Sequence, residues 1–408
     1  MRAHLVRAFR VLHPDPALAD FLRTHGATAR SIGDEQALTR VQTRSPIELP
    51  ERQTRAIRQV DGFDWHLARC KVPAAWALVG GPEQIAWSVR IGQIDTGYTA
   101  HPALGFGLGD PWLQVEDSRT FVPEPDTGLL ALPNIESGDG IDTLNGFSAG
   151  HGTRIASTIC GCDRSATGGA FFGVAPKAPL VMVRICDGVI VSDRQREMAQ
   201  ALRYLVTEAK VNVINVGLGF LPPGATVGEL KDALSEAYDA GVIIVCAAGN
   251  QVDSVVVPAR LNRTIALAGV TAADVPWSGS SFGPPVEISA PAKDLRRADV
   301  KRGSAKPKFN YGNGGDGTSY ATAMTAGTAA LWLQHRAADN AATYDEPWQR
   351  VAAFRKIARA TARVPAMAIN GNLLWQPGSF GTGILDVEAI VRANLPATAT
   401  LIPPEPQL

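Results

Sequence analysis

A chain of 408 residues with 45% hydrophobic and 19% charged side chains can bury a large core and is not compositionally disordered. Lys+Arg and Asp+Glu stand at 39 each, so the electrostatic footprint of a nucleic-acid or anionic-membrane binder is missing and neither partner is expected. Arg2, Arg7 and Arg10 interrupt the apolar start, so no secretory h-region is expected, and no apolar run reaches the roughly 18 residues of a transmembrane helix. The five cysteines (Cys70, Cys160, Cys162, Cys186, Cys246) are odd in number and scattered, and "CGC" is too tight for a relaxed disulfide. Reduced thiols in a cytoplasm are the expectation.

Residues 1–60 differ in texture from the rest of the chain. "AHLVRAFRVL" reads as a strand, "PALADFLRTHG" as a short helix closed by glycine, "ALTRVQTR" as a second strand, and "SPIELPERQTRAIRQVDGF" as a linker. This extension is either a pro-segment or an arm packed on the main domain. From 61 to 396 strands and helices alternate. "SVRIGQID" is a buried strand, followed by a Gly/Pro/Asp-rich loop from Thr96 to Gly150 and a helix in "HGTRIASTIC". "LVMVRIC" is the next strand; Ser192 and Gln195 then have capping-box spacing ahead of Met198, Ala201, Leu202 and Leu205, one apolar helical face. Next come "VNVINVG" (strand), "VGELKDALSEAYDAG" (helix), "VIIVCAAG" (strand) and "TIALAGV" (strand), and 397–408 is a proline-rich appendage. Near-continuous apolar strands between amphipathic helices imply an α/β fold with a mostly parallel sheet covered on both faces, with ligands gathering at the strands' carboxyl ends.

Those ends carry chemistry. Asp95 closes the first strand in "IDTGYTAHP", His151 stands between glycines at a helix start in "GHGTRIA", and Ser319 opens another helix in "DGTSYA". Alone, Ser319 reads as a helix cap, Asp95 as a strand end and Asn250 as a turn residue. Together they supply what a nucleophilic serine needs: a base for its proton, an acid to orient that base, and donors for the developing oxyanion. Asn250, after "VIIVCAAG", and the Ser319 N–H near the positive end of its helix are the candidate donors.

The order Asp-His-Ser with "DTG", "GHGT", "AAGN" and "GTSxA" resembles the subtilisin-like serine proteases, the subtilases. The likeness runs from about Trp65 to Ala393 and includes "FDWHL", "FGVAPKAPLVMVRI", "VINVGLG", "SFGPPVEISAP" and "GTGILDVEAIV". It implies a three-layer sandwich plus a small N-terminal extension, and a serine endopeptidase acting on peptide or protein through an acyl-enzyme. Asp95 would orient the base, His151 would be base then acid, Ser319 the nucleophile and Asn250 an oxyanion donor. The alternatives are a processing protease devoted to one partner, motivated by the long loop 103–150, and a non-catalytic scaffold.

Four departures stand out. Ala323 replaces the proline usual four residues after the serine, "APA" (Ala290–Ala292) replaces "APG", and Gly217-Leu218-Gly219 stands where "SLG" is common along the substrate strand. Val256, in "SVVVPAR", stands where glycine commonly forms the base of the primary specificity pocket, so a shallower pocket for small or medium apolar side chains is expected. Asp139, Asp142 and Asn145 offer hard oxygen ligands of the kind calcium prefers, but their spacing fits no defined loop; a solvated loop is preferred, and no metal or cofactor is assigned. The other six histidines (His4, His13, His25, His66, His101, His335) read as structural or exposed.

A histidine base predicts a peptidase rate that rises with pH through neutrality, since an unperturbed imidazole titrates near about 6.5. A steady-state pH profile checks this; a rate flat down to about pH 4 contradicts it.

Overall fold

In the computed structural model the described residues are 64–406, apart from 108, 110, 123–139, 145–147, 164–169, 192, 221–225, 302–306, 366–367, 370–371 and 374. They belong to one compact unit, Ile47–Leu408. The two strands and the helix expected within 1–60 lie outside the described residues, as do Ser192, Asp139 and Asn145.

Seven strands form the central sheet: β1 (Ile91–Asp95), β2 (Arg119–Thr120), β3 (Leu180–Arg184), β4 (Val213–Val216), β5 (Ile243–Ala247), β6 (Ile265–Val270) and β7 (Val286–Pro291). Their order is β2-β3-β1-β4-β5-β6-β7 and every pairing is parallel. Side-chain alternation divides the core in two. Ile91, Leu180, Met182, Val213, Val245, Ile265 and Leu267 face one apolar layer, and Ile94, Val181, Val183, Ile214, Ile244 and Ala266 face the other. Two covered faces require uninterrupted apolar strands, which is why β1, β4, β5, β6 and β7 are buried throughout. The result is a three-layer α/β sandwich.

Among the helices are α1 (Trp65–Arg69), α2 (Val72–Leu78), α3 (His151–Cys160), α4 (Gln195–Thr207), α5 (Gly228–Asp239), α6 (Thr318–His335), α7 (Pro347–Thr361) and α8 (Val387–Arg392), with short helices also at Ala337–Thr343 and Pro377–Phe380. Met198, Leu202 and Leu205 of α4 and Leu230, Leu234 and Ala237 of α5 cover the second face. On the first face lies α6, buried at every residue from Thr318 to Leu333. A helix without a polar face must satisfy its hydroxyls internally, and Thr322, Thr325 and Thr328 each donate to the carbonyl four residues back, at 2.8, 3.0 and 2.8 Å. Its small residues permit close approach: a Cβ at Gly327 would lie 2.7 Å from Val174 Cβ. Ala323 is fully buried and α6 runs through it without a break, so the missing proline leaves the helix intact.

Three features go beyond the sequence reading. The capping box expected from Ser192 and Gln195 is not what starts α4: the helix begins at Gln195, and that side chain accepts instead from the Val227 N–H at 2.9 Å. A tertiary partner has taken the group that local spacing assigned to a cap. An antiparallel hairpin, β8 (Leu295–Lys301) and β9 (Lys308–Gly315), leads into α6 and was not foreseen. The proline-rich tail inserts Leu401 into the first-face core, and Lys356 Nζ donates to Thr400 O at 3.1 Å.

The chain passes from β1 through α3 to β3 on one side, then through α4 to β4 on the other. Strand order therefore reverses at β1/β4, where a crevice opens at the carboxyl ends of an open α/β sheet. Asp95 ends β1 and Gly217 comes directly after β4.

Candidate active site

Three distant segments meet at that crevice. His151 Nδ1 lies 2.7 Å from Asp95 Oδ1, and His151 Nε2 lies 3.1 Å from Ser319 Oγ. The carboxylate is acceptor-only, so Nδ1 carries the proton and donates to it, and Nε2 presents its lone pair to the Ser319 hydroxyl. Asp95 is fully buried and Ser319 nearly so, which strengthens these interactions by excluding water.

The motif glycines are explained by contact. A Cβ on Gly152 would sit 2.0 Å from Gly97 O, and one on Gly97, where φ is +100°, would sit 2.6 Å from Asp142 N. "DTG" and "GHG" thus touch backbone to backbone. Thr153 extends the junction, its hydroxyl accepting from the Thr99 N–H at 2.8 Å.

Asn250 is held by its oxygen. Oδ1 accepts from the Thr318 N–H at 2.9 Å and lies 3.0 Å from Thr318 Oγ1, so the chemistry of its partners fixes which amide atom points where. A Cβ at Gly317 (φ +149°) would lie 3.1 Å from Ser319 Oγ, 3.4 Å from Asn250 Nδ2 and 3.9 Å from Ser319 N. The hydroxyl and two N–H donors therefore converge on one spot that only glycine leaves open.

The three residues after β4 border the site. Gly217 abuts the cluster of Asp95, His151 and Ser319: a Cβ there would lie 3.2 Å from Asp95 Oδ2, 3.3 Å from Ser319 Cβ and 3.5 Å from His151 Cε1. Gly217, Leu218 and Gly219 together line an adjoining pocket with Gly249, Asn250 and Val256. Val256 packs against both glycine walls, its methyls 2.4 and 2.6 Å from where Cβ atoms on Gly219 and Gly249 would lie.

Asp142 is not the solvated loop residue expected. It is 1% exposed, and it accepts from Leu144 N (2.7 Å), Gly150 N (2.8 Å) and Thr96 Oγ1 (2.9 Å). Thr96 Oγ1 in turn accepts from the Gly152 N–H at 3.1 Å. Its oxygens hold the loop before His151 rather than standing free for a cation. Burial pushes its pKa up to about 6 against those hydrogen bonds, with nearby Asp95 adding to the rise. Among the described residues no group of three or more His, Cys, Asp or Glu is placed to hold a metal. His101 is buried packing: Nε2 bonds Asn310 O at 3.0 Å and Nδ1 accepts from the Ala103 N–H at 3.0 Å, while burial lowers its pKa.

Gln93 escaped the sequence reading. Fully buried, it donates from Nε2 to Asp95 Oδ2 and to Gly152 O, both at 3.0 Å. The available signal was an amide in an apolar strand two residues from Asp95, hence on the same face.

Residues 88–372 match the model of the Subtilase family. The chain belongs to that family. Subtilisin Savinase of Lederbergia lenta is 28% identical over 331 residues, covering 80% of this chain and 98% of that protein. The Major intracellular serine protease of Bacillus subtilis (strain 168) is 29% identical over 269 residues, covering 64% and 72%. Among solved structures, a protease from Pseudoalteromonas arctica PAMC 21717 superposes with a TM-score of 0.61 at 24% identity, over 80% of this chain and 96% of that one. This subtilase is a serine endopeptidase.

Asp142→Asn keeps one acceptor oxygen for three donors, so the subtilase should lose about 1–3 kcal/mol at neutral pH. Because the folded-state pKa of Asp142 is raised from 3.8 to about 6, the fold binds that proton more tightly than the unfolded chain does. Wild-type stability from this group therefore rises as pH falls through about 6 towards 4, and the gap to the variant widens. Denaturant titrations across that window check both; equal stability at all pH values contradicts the role.

Proposed function

We propose that Ser319 is the nucleophile of this endopeptidase, His151 its general base and then acid, and Asp95 the group that orients the imidazole. Asn250 Nδ2 and the Ser319 N–H are the oxyanion donors. The observation that carries this is the simultaneous engagement of both His151 ring nitrogens, 2.7 Å from Asp95 and 3.1 Å from Ser319. As Ser319 Oγ attacks the scissile carbonyl carbon, its proton passes to His151 Nε2. The resulting imidazolium is stabilised by Asp95, and the carbonyl oxygen gains charge beside the two N–H donors. Collapse transfers the proton from His151 to the leaving amine and leaves an acyl-Ser319. Water then attacks that ester with His151 again as base, releasing the acid and restoring the hydroxyl.

The substrate is a peptide or protein segment laid across the crevice, with its P1 side chain in the pocket of Gly217, Leu218, Gly219, Gly249, Asn250 and Val256. Val256 fills space between the two glycine walls that would otherwise deepen this pocket, which supports small or medium apolar P1 residues. Residues 61–396 form the catalytic domain in this reading. Five free, buried cysteines support a compartment that keeps thiols reduced, the cytoplasm.

Profiling with a P1-varied peptide library should rank Ala, Val and Leu above Phe, Tyr and Lys. Val256→Gly should shift kcat/KM towards Phe and Tyr by roughly tenfold or more, the order set by a few buried methylenes. A wild-type profile led by Phe, Tyr or Lys, or a variant without the shift, contradicts the pocket assignment.

A further inference from the structure

We propose that Gln93 is a positioning residue of the peptidase, whose buried amide sets the angle at which Asp95 meets His151. The inference rests on the assignment of Asp95, His151 and Ser319 as a catalytic triad. Gln93 and Asp95 are two residues apart on β1 and so project to one face of the sheet. Nε2 lies 3.0 Å from Asp95 Oδ2 and 3.0 Å from Gly152 O. Both partners are acceptors only, so the amide orientation follows from chemistry: with Oε1 in that place, three oxygens would face one another.

The division of labour on Asp95 gives the contact its consequence. Oδ1 takes the His151 Nδ1–H and the Thr96 N–H, each at 2.7 Å. Oδ2 has Gln93 as its donor among the described residues, and the neighbouring Gly217 presents no side chain to it. Held at Oδ1 alone, a carboxylate pivots about its Cβ–Cγ bond; held also at Oδ2, its plane is fixed relative to the imidazole. The second N–H of the amide binds Gly152 O, in the residue after His151. One side chain therefore ties the carboxylate to the helix start that carries its partner.

The position is also costly, which argues against plain packing. Gln93 Oε1 has no partner among the described residues, and neither side-chain polar atom of Asn215, at the matching register position on β4, has one. Buried unsatisfied amide atoms are destabilising, and an aliphatic residue at 93 would avoid its share. What the glutamine returns lies at the site.

The test is steady-state kinetics of full-length Gln93→Met and Gln93→Glu beside wild type, with thermal melts as folding controls. Met preserves length and volume but donates nothing; kcat should fall about tenfold or more while KM stays within about twofold, as loss of a charge-assisted hydrogen bond to a group acting only in chemistry requires. Glu places a second carboxyl against Asp95. The ionisable groups linked to it are Asp95 directly, His151 through Asp95, and Asp142 through Thr96, with Cys186 Sγ 4.0 Å from Asp95 O. Its neutral form donates to Asp95 and its ionised form repels it, so the Gln93→Glu rate should peak at lower pH than wild type and fall on the alkaline side where wild type is most active. A merely structural glutamine gives losses that track the melting temperature and leave the pH profile parallel to wild type. Where Gln93→Met does not fold, the alkaline fall of Gln93→Glu decides. A Gln93→Met kcat within about twofold of wild type, or a Gln93→Glu profile parallel to it, overturns the proposal. Hydrolysis by Ser319→Ala at the wild-type rate would remove the triad reading instead, so the two failures are distinguishable.

Discussion

The site depends on one close approach of backbone to backbone, that of Gly152 to Gly97. A side chain at Gly152 would place its first carbon 2.0 Å from Gly97 O, a separation no packing adjustment absorbs. Because residue 152 is glycine, the first turn of α3 seats directly on the loop leaving β1, and His151 comes within 2.7 Å of Asp95 across 56 residues of sequence. Sheet topology brings the segments to one crevice; the glycines bring them the last few ångströms. Gly317 does the same at the other end of the imidazole, leaving open the spot on which Ser319 Oγ, Asn250 Nδ2 and Ser319 N converge.

Around this contact, buried polar groups are arranged so that each candidate side chain has a reason for its orientation. Thr318 fixes the Asn250 oxygen and hence its N–H₂, Gln93 and Thr96 bind opposite oxygens of Asp95, and Asp142 gathers the loop before His151. Asp142 is itself at a disadvantage when ionised, its pKa pushed up to about 6 by burial. A carboxylate that costs stability at neutral pH and still holds three donors fits a protein that gives up some stability for a rigid site. The layer beneath is α6, whose fully buried, threonine-satisfied body anchors the end that carries Ser319.

Much of this was legible in the sequence because the chemistry sits at element ends. Asp95, His151, Asn250 and Ser319 occupy termini that apolar runs mark plainly, and the parallel sheet follows from strands apolar on both faces. Part of what stayed hidden depends on partners far away in the chain. Gln195 looked like half of a capping box, yet its oxygen serves Val227. Asp142, in an acidic, glycine-rich loop, looked solvated and is enclosed by residues from three directions. Gln93 was an anomaly within a buried strand, and its meaning appears only when Gly152 O is placed beside it. Gly217 read as part of a substrate strand and proves to border Asp95, His151 and Ser319. The hairpin β8–β9 carries polar, glycine-rich strands without clean alternation, which periodicity does not detect.

The central claim is that Ser319 is a nucleophile made reactive by His151. Its most direct test is covalent labelling of the folded protein with a fluorophosphonate, read by peptide mass spectrometry. A single adduct on Ser319 is expected, and it disappears in His151→Ala at equal folded content. An unlabelled Ser319 in folded wild-type protein, or undiminished labelling without His151, would contradict it.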